Sequence, residues 1–78
     1  MKPEAAEKLV ADLKQAGIDF VTYVPETRLS EILAPLKADE SFTLVPVASE
    51  AEAVGIAAGA SLGAKQPAIL LFTGEFTI

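Results

Sequence analysis

Residues 45–72 read VPVASEAEAVGIAAGASLGAKQPAILLF, and this stretch decides the fold. An apolar run ends at Pro46, a run of small residues follows, and a second apolar run begins after Pro67. Strand, helix and strand in this order are typical of a βαβ unit, whose two strands lie parallel in one sheet. We therefore expect an α/β fold.

The helix between these two strands has recognisable ends. Ser49 and Glu52 have the spacing of a capping box, and Gly63 suits the C-terminal stop, so we predict a helix from Glu50 to about Leu62. Its residues are small and apolar on every side, and each of its two internal glycines costs about 1 kcal/mol relative to alanine. We therefore expect this helix to be covered on several sides and closely approached.

The preceding residues repeat the alternation of helix and strand. A first helix starts near Pro3 and is closed by Gly17. A second helix is capped by Thr27, with a kink or an early end expected near Pro35 because proline lacks the backbone N–H. The predicted strands are Phe20–Val24, Phe42–Val47 ending near Pro46, and Ala68–Phe72.

The predicted order implies a parallel sheet with a helix layer on each face, that is, a three-layer α/β/α architecture. Doubly wound sheets commonly have about five or six strands, whereas three strands are predicted here. We expect residues 1–78 to be a single partial domain, the first half of such a sheet.

Composition excludes several classes of function. Eleven acidic and six basic residues give a net charge of −5, and no lysine or arginine cluster could neutralise a run of phosphates, so we expect no nucleic-acid binding. The chain has no cysteine and no histidine, so we expect no zinc or iron site and no metal ligand among its site residues, and acid–base chemistry falls to carboxylates.

The N-terminus and the longest apolar stretch bear on location. The start of the chain lacks the features of a signal peptide. The apolar stretch 51–64 is shorter than the roughly 20 residues that cross a bilayer. We therefore expect a cytoplasmic protein with no membrane segment. Hydrophobic residues make up 51% of so short a chain, which suggests that part of the apolar surface meets a partner.

Ligands of open parallel sheets bind at the carboxyl ends of the strands, and the loops 25–27 and 48–50 and the residues from 73 onward qualify. Glu50 stands at that rim, although a glutamate in the first turn of a helix is also favoured by the helix dipole. Glu52 is better explained by the capping box. Arg28 could meet an anionic substrate or be an ordinary solvated surface residue.

The spacing of Glu50, Ala53, Ala57 and Gly59 resembles the cofactor-activating segment of thiamine-diphosphate-dependent enzymes. The stretch 17–25, GIDFVTYVP, is similar to the first strand and turn of their pyrimidine-binding domain. The resemblance covers roughly residues 3–72. Within that family, the chain most resembles the group that contains the alpha subunit of sulfopyruvate decarboxylase and phosphonopyruvate decarboxylase.

The resemblance implies a site and its partners. Glu50 would be the catalytic residue, its carboxyl group hydrogen-bonded to the aminopyrimidine ring of thiamine diphosphate. Pro25, Thr73 and Gly74 would also contact the cofactor. A diphosphate-binding domain or beta subunit would hold the diphosphate and Mg²⁺. The substrate would be a 2-oxo acid that is decarboxylated in an oligomeric enzyme.

One departure leaves alternatives open. The family usually follows the third strand with Gln/Asn-Ser-Gly, whereas this chain reads FTGEFTI from Phe72 to Ile78. A truncated, non-catalytic interaction module stays open as an alternative, favoured by the missing second half of the sheet. An acetolactate-synthase-like enzyme, which would share the glutamate but act on a different substrate, also stays open.

Overall fold

The computed structural model of the chain describes residues 2–71, in which helices and strands alternate as predicted. A short 3-10 helix, Thr27–Leu29, precedes the second α-helix. The elements in chain order are α1 (Pro3–Gln15), β1 (Phe20–Tyr23), α2 (Ser30–Ala38), β2 (Thr43–Pro46), α3 (Glu50–Leu62) and β3 (Pro67–Leu70).

The strands form a parallel sheet in the order β2-β1-β3, which confirms the predicted α/β class. β2 is one residue shorter at each end than the predicted Phe42–Val47. The backbone N–H of Val47 nevertheless donates to the carbonyl of Tyr23 at 2.9 Å, so contact between the strands extends past Pro46. β3 begins one residue earlier than predicted, and Phe72 lies outside the described residues.

Side chains of the central strand point alternately to two helix layers. Val21 and Tyr23 are buried on the face that carries α1 and α2. Thr22 is fully buried on the other face, where α3 packs against β1 and β3 through Ala53 and Ala57. The main core comprises Ala6, Val10, Val21, Tyr23, Leu29, Ile32, Leu33, Leu36 and Phe42. The helices thus lie on both faces of the sheet, as in a three-layer architecture.

The end of α1 explains why the chain turns sharply into β1. Gly17 has φ +86°, a left-handed conformation that glycine adopts at little cost. Its N–H donates to the carbonyl of Lys14, and the N–H of Ile18 donates to that of Leu13, each at 3.0 Å. These two bonds form a Schellman motif, which confirms the predicted stop at Gly17.

The start and course of the second helix differ from the sequence prediction. Glu26, not Thr27, caps this segment, because its longer side chain reaches the backbone N–H of Arg28 at 2.6 Å. The helix does not end at Pro35 but continues to Ala38. Leu36, directly after the proline, is fully buried, and tertiary packing of this kind outweighs one lost backbone hydrogen bond.

The predicted covering of α3 was wrong for the described residues. A Cβ built on Gly55 or Gly59 would meet no atom within 4 Å, and Leu62 is 92% exposed. Only Ala53 and Ala57 are buried in this helix. A helix presents one face to the sheet beneath it, and within residues 2–71 no second layer lies above α3. No helix in this part of the chain has the length and apolar composition needed to cross a membrane.

Candidate functional site

The carboxyl ends of the three strands lie level with one another. Tyr23 of β1 is in register with Pro46 of β2 and with Leu70 of β3. A cavity of about 210 Å³ opens beyond these ends. It is lined by Val24, Glu26, Ser49, Glu50 and Leu71. The cavity therefore draws on the segment that follows each strand, where ligands of open parallel sheets bind.

Glu50 is held at this cavity by the way α3 begins. Ser49 is the N-cap in an extended conformation, and its hydroxyl oxygen accepts a hydrogen bond from the N–H of Glu52 at 3.2 Å. The carboxylate of Glu52 in turn accepts from the N–H of Ala48 at 2.9 Å. These bonds fix the turn from β2 into α3, so the first helical residue, Glu50, borders the cavity.

Glu50 is exposed within residues 2–71, so the small apolar helix α3 does not by itself give its carboxylate a dry environment. The reason is its position at the open rim of the sheet, where Val24 and Leu71 supply the apolar wall among the described residues. A dry environment requires atoms from outside the described residues.

Glu26 is a second carboxylate on the same cavity, and no motif in the sequence singled it out. Its Oε2 accepts from the backbone N–H of Arg28 at 2.6 Å, and its Oε1 lies 3.3 Å from Nε of Arg28. The hydrogen bond to the backbone fixes the direction of the Glu26 side chain. The signal was its place in the loop after the first strand, which is one of the three candidate loops.

Pro25 lies apart from Glu50. It lines a larger groove of about 550 Å³ on the α2 side of the sheet, together with Tyr23, Glu26, Thr27, Ser30, Leu33, Ala34 and Lys37. Glu26 borders both spaces, whereas Pro25 does not line the Glu50 cavity. Thr73 and Gly74 lie outside the described residues.

Comparison with known protein families shows to which family the chain belongs. The family model described as "Thiamine pyrophosphate enzyme, N-terminal TPP binding domain" matches residues 3–76. The chain belongs to this family. Thiamine pyrophosphate is the same compound as thiamine diphosphate, and membership of the family implies that cofactor.

Three relatives of this thiamine pyrophosphate enzyme domain have the same name. The chain is 42% identical over 71 residues to "Sulfopyruvate decarboxylase subunit alpha" of Methanothermobacter thermautotrophicus, and this match covers 91% of the chain and 43% of the relative. The proteins of the same name from Methanococcus maripaludis and Methanocaldococcus jannaschii are 36% and 41% identical. Those matches cover 86% and 76% of the chain, and 40% and 35% of the relatives. The chain spans about two fifths of the length of these relatives. No solved structure matches significantly.

The cavity of this thiamine pyrophosphate enzyme domain fits one end of the cofactor better than the other. Val24 and Leu71 can pack on a flat heteroaromatic ring, and Ser49 and two carboxylates can accept or share its N–H protons. Within residues 2–71, no three Asp, Glu, His or Cys side chains are close enough together to hold a metal ion. The donor set therefore suits the aminopyrimidine and not the diphosphate with its cation.

Proposed function

We propose that the chain is the pyrimidine-binding part of a thiamine-diphosphate-dependent 2-oxo acid decarboxylase and that Glu50 activates the cofactor. The observation that carries this proposal is the position of Glu50 on the cavity at the carboxyl ends of the strands, in a chain of the thiamine pyrophosphate enzyme family. Residues 1–78 would then belong to one pyrimidine-binding domain.

The role of Glu50 follows from what a carboxyl group does beside an aminopyrimidine. Its carboxyl group would share a proton with a ring nitrogen and so make the neighbouring amino group more acidic. When bound, the cofactor would supply an acidic C–H group whose conjugate base can add to a 2-oxo carbon, and an electron sink for the carbanion left by decarboxylation. Val24 and Leu71 orient the ring, and exclusion of water strengthens the hydrogen bond of Glu50.

A partner is part of the proposal. The relatives are called alpha subunits, and Glu50 and the outer face of α3 are exposed in residues 2–71. We infer a diphosphate-binding domain or beta subunit that covers this edge, holds the diphosphate and Mg²⁺, and completes an oligomeric enzyme. Cytoplasmic location stays a prediction of the sequence.

The proposed substrate is a 2-oxo acid of the sulfopyruvate or phosphonopyruvate type. Support comes from the name of the relatives, sulfopyruvate decarboxylase, and from identity of 36 to 42% over most of the chain. An acetolactate-synthase-like enzyme would instead join two 2-oxo acids, and product analysis separates the two reactions.

The test compares Glu50→Gln with Glu52→Gln in the complex with the diphosphate-binding partner. Glutamine keeps the size of the side chain but cannot share an acidic proton, so Glu50→Gln should abolish decarboxylation. Glu52→Gln should leave the rate nearly unchanged, because an amide oxygen can still accept from Ala48. A Glu50→Gln rate above about a tenth of the wild-type value, a barrier change of only about 1.4 kcal/mol, would contradict the assigned role.

The interaction-module alternative has its own signature. A wild-type complex that assembles but neither binds thiamine diphosphate nor decarboxylates any 2-oxo acid would favour a non-catalytic role for the chain.

A further inference from the structure

The Glu50 cavity presents a charge problem for an anionic substrate. Among residues 2–71, its lining contains two carboxylates, Glu26 and Glu50, and no cation. A 2-oxo acid that carries a second anionic group would be repelled by both carboxylates, and repulsion between like charges increases as water is excluded. A cation near the cavity is therefore needed, and the chain has one in contact with the lining.

That cation is Arg28. Its Nε lies 3.3 Å from Oε1 of Glu26, so the guanidinium is separated from the cavity by a single carboxylate group. Lys37, by contrast, lines the larger groove beyond Glu26.

The contact between Glu26 and Arg28 is of a kind that exchanges readily. The side chain of Arg28 is 62% exposed, whereas that of Glu26 is 32% exposed. Ion pairs at the surface contribute little to stability, so exchanging the Glu26 contact for one with another anion costs little. Its planar donors suit a group with several anionic oxygens. The backbone bond from Arg28 to Glu26 keeps the residue at the rim while the side chain moves.

We propose that Arg28 determines substrate specificity by binding the anionic group that the substrate carries in addition to its 2-oxo acid. This inference rests on the proposed function. The second anionic group keeps its charge throughout the reaction, so a cation bound to it stabilises ground state and transition state alike and lowers KM without changing kcat. A cation on the departing carboxylate would instead oppose loss of its charge.

The experiment uses the complex with the diphosphate-binding partner and the variants Arg28→Gln and Arg28→Lys. Lys8→Gln is the matched control, since Lys8 is also an exposed cation paired with a carboxylate, that of Asp12, but lies on α1. The measurements are kcat and KM for sulfopyruvate, the inhibition constant of pyruvate, and calorimetric dissociation constants for sulfoacetate and thiamine diphosphate.

Arg28→Gln should raise KM for sulfopyruvate and the dissociation constant of sulfoacetate by at least about tenfold. It should leave kcat, the inhibition constant of pyruvate and the dissociation constant of thiamine diphosphate within about twofold of the wild-type values. Arg28→Lys should keep part of the affinity because the charge remains. Lys8→Gln should match the wild type.

Unchanged sulfoacetate binding in Arg28→Gln would overturn the inference. An equal loss of affinity for pyruvate would also overturn it, because such a loss indicates a structural effect. The sulfoacetate measurement does not need turnover, so it decides the role of Arg28 even in a complex without decarboxylase activity. Failure of the proposed function appears separately, as a Glu50→Gln variant that remains active.

Discussion

The carboxylate of Glu52 accepts a hydrogen bond from the backbone N–H of Ala48 at 2.9 Å, one residue earlier than in the usual capping box. The hydroxyl of Ser49 accepts from the N–H of Glu52, so the turn from β2 into α3 is closed from both sides. Glu50 takes no part in this closure. Two carboxylates only two residues apart thus have separate surroundings, one bonded to the backbone and the other facing a cavity.

Removing the cap should weaken the chain by a measurable amount. Ser49→Ala should lower the free energy of unfolding by about 1 kcal/mol, because one N–H of the first turn of α3 loses its acceptor. Ser61→Ala, in the last turn of the same helix, is the control and should be neutral or slightly stabilising. Urea unfolding of both variants gives the comparison, and equal values would show that the Ser49 bond contributes nothing.

A substitution at the C-terminal end of α3 should stabilise the chain. Ala64 has φ 69°, the left-handed conformation that Gly17 adopts at the end of α1. Its N–H donates to Ser61 and that of Lys65 donates to Ala60, so alanine occupies the glycine position of a Schellman motif. Ala64→Gly should raise the free energy of unfolding by about 1 kcal/mol.

The opposite exchange at Gly17 is the matched control for that prediction. A Cβ at Gly17 would meet no atom within 4 Å, so Gly17→Ala isolates the cost of backbone conformation. It should lower stability by about 1 kcal/mol, again measured by urea unfolding. A destabilising Ala64→Gly would contradict the account of this helix end.

Stability should fall in acid because of Asp39. The hydrogen bond from Lys14, at 2.8 Å, and those from the hydroxyl and N–H of Ser41 hold the pKa of Asp39 well below its usual value. A lowered folded pKa means that the contribution is present above the unfolded pKa, about 3.9, and is lost as pH falls through the folded pKa.

Asp39→Asn should therefore lower the free energy of unfolding near neutral pH, and the difference from wild type should shrink below about pH 4. Lys14→Met should flatten the same pH dependence, because Lys14 is the largest cause of the shift. Melting curves between neutral and acid pH provide the measurement. A difference between wild type and Asp39→Asn that is independent of pH would rule out this titration.

The 78-residue chain alone should bind thiamine diphosphate weakly, if at all. Hydrogen bonding to a carboxylate nets about 1.5 to 3 kcal/mol, less than the roughly 4 kcal/mol that millimolar affinity requires. The sequence has no phosphate-binding glycine motif for the other end of the cofactor. Calorimetric titration with Mg²⁺ present, with and without the diphosphate-binding partner, tests this. Micromolar affinity of the chain alone would show that it holds both ends.

The sequence correctly predicted those helix ends that are set by residues close to them in the chain. The bounds of α3, Glu50 to Leu62, are as predicted, because the cap at Ser49 acts within four residues. Thr27 failed as a cap because sequence does not tell which of two adjacent side chains reaches a free N–H. Pro35 failed as a stop because the burial of Leu36 against α1 and β1 depends on tertiary packing.

The candidate site was predictable in position but not in detail. Parallel topology is enough to bring Glu50 to the carboxyl edge of the sheet. That Pro25 lines the neighbouring groove and not the Glu50 cavity depends on tertiary packing, which the sequence does not report. The exposure of Glu50 and of α3 depends on atoms beyond residues 2–71, and no pattern within the chain could report it.

The central position of β1 also sets an order of folding. Phe20 pairs with Thr43 on one side and with Pro67 on the other, so the second pairing closes a loop about twice as long as the first. Doubling a loop costs only about 0.6 kcal/mol of closure entropy, yet β3 must also leave the ribosome after β2. We expect β1 and β2 to dock first, with β3 and α3 joining last. Pulse-labelled hydrogen exchange should then protect the amide of Val47, which donates to the carbonyl of Tyr23, before that of Asp19, which donates to the carbonyl of Gln66. A nascent chain would thus carry an unpaired edge on β1 until β3 has been synthesised.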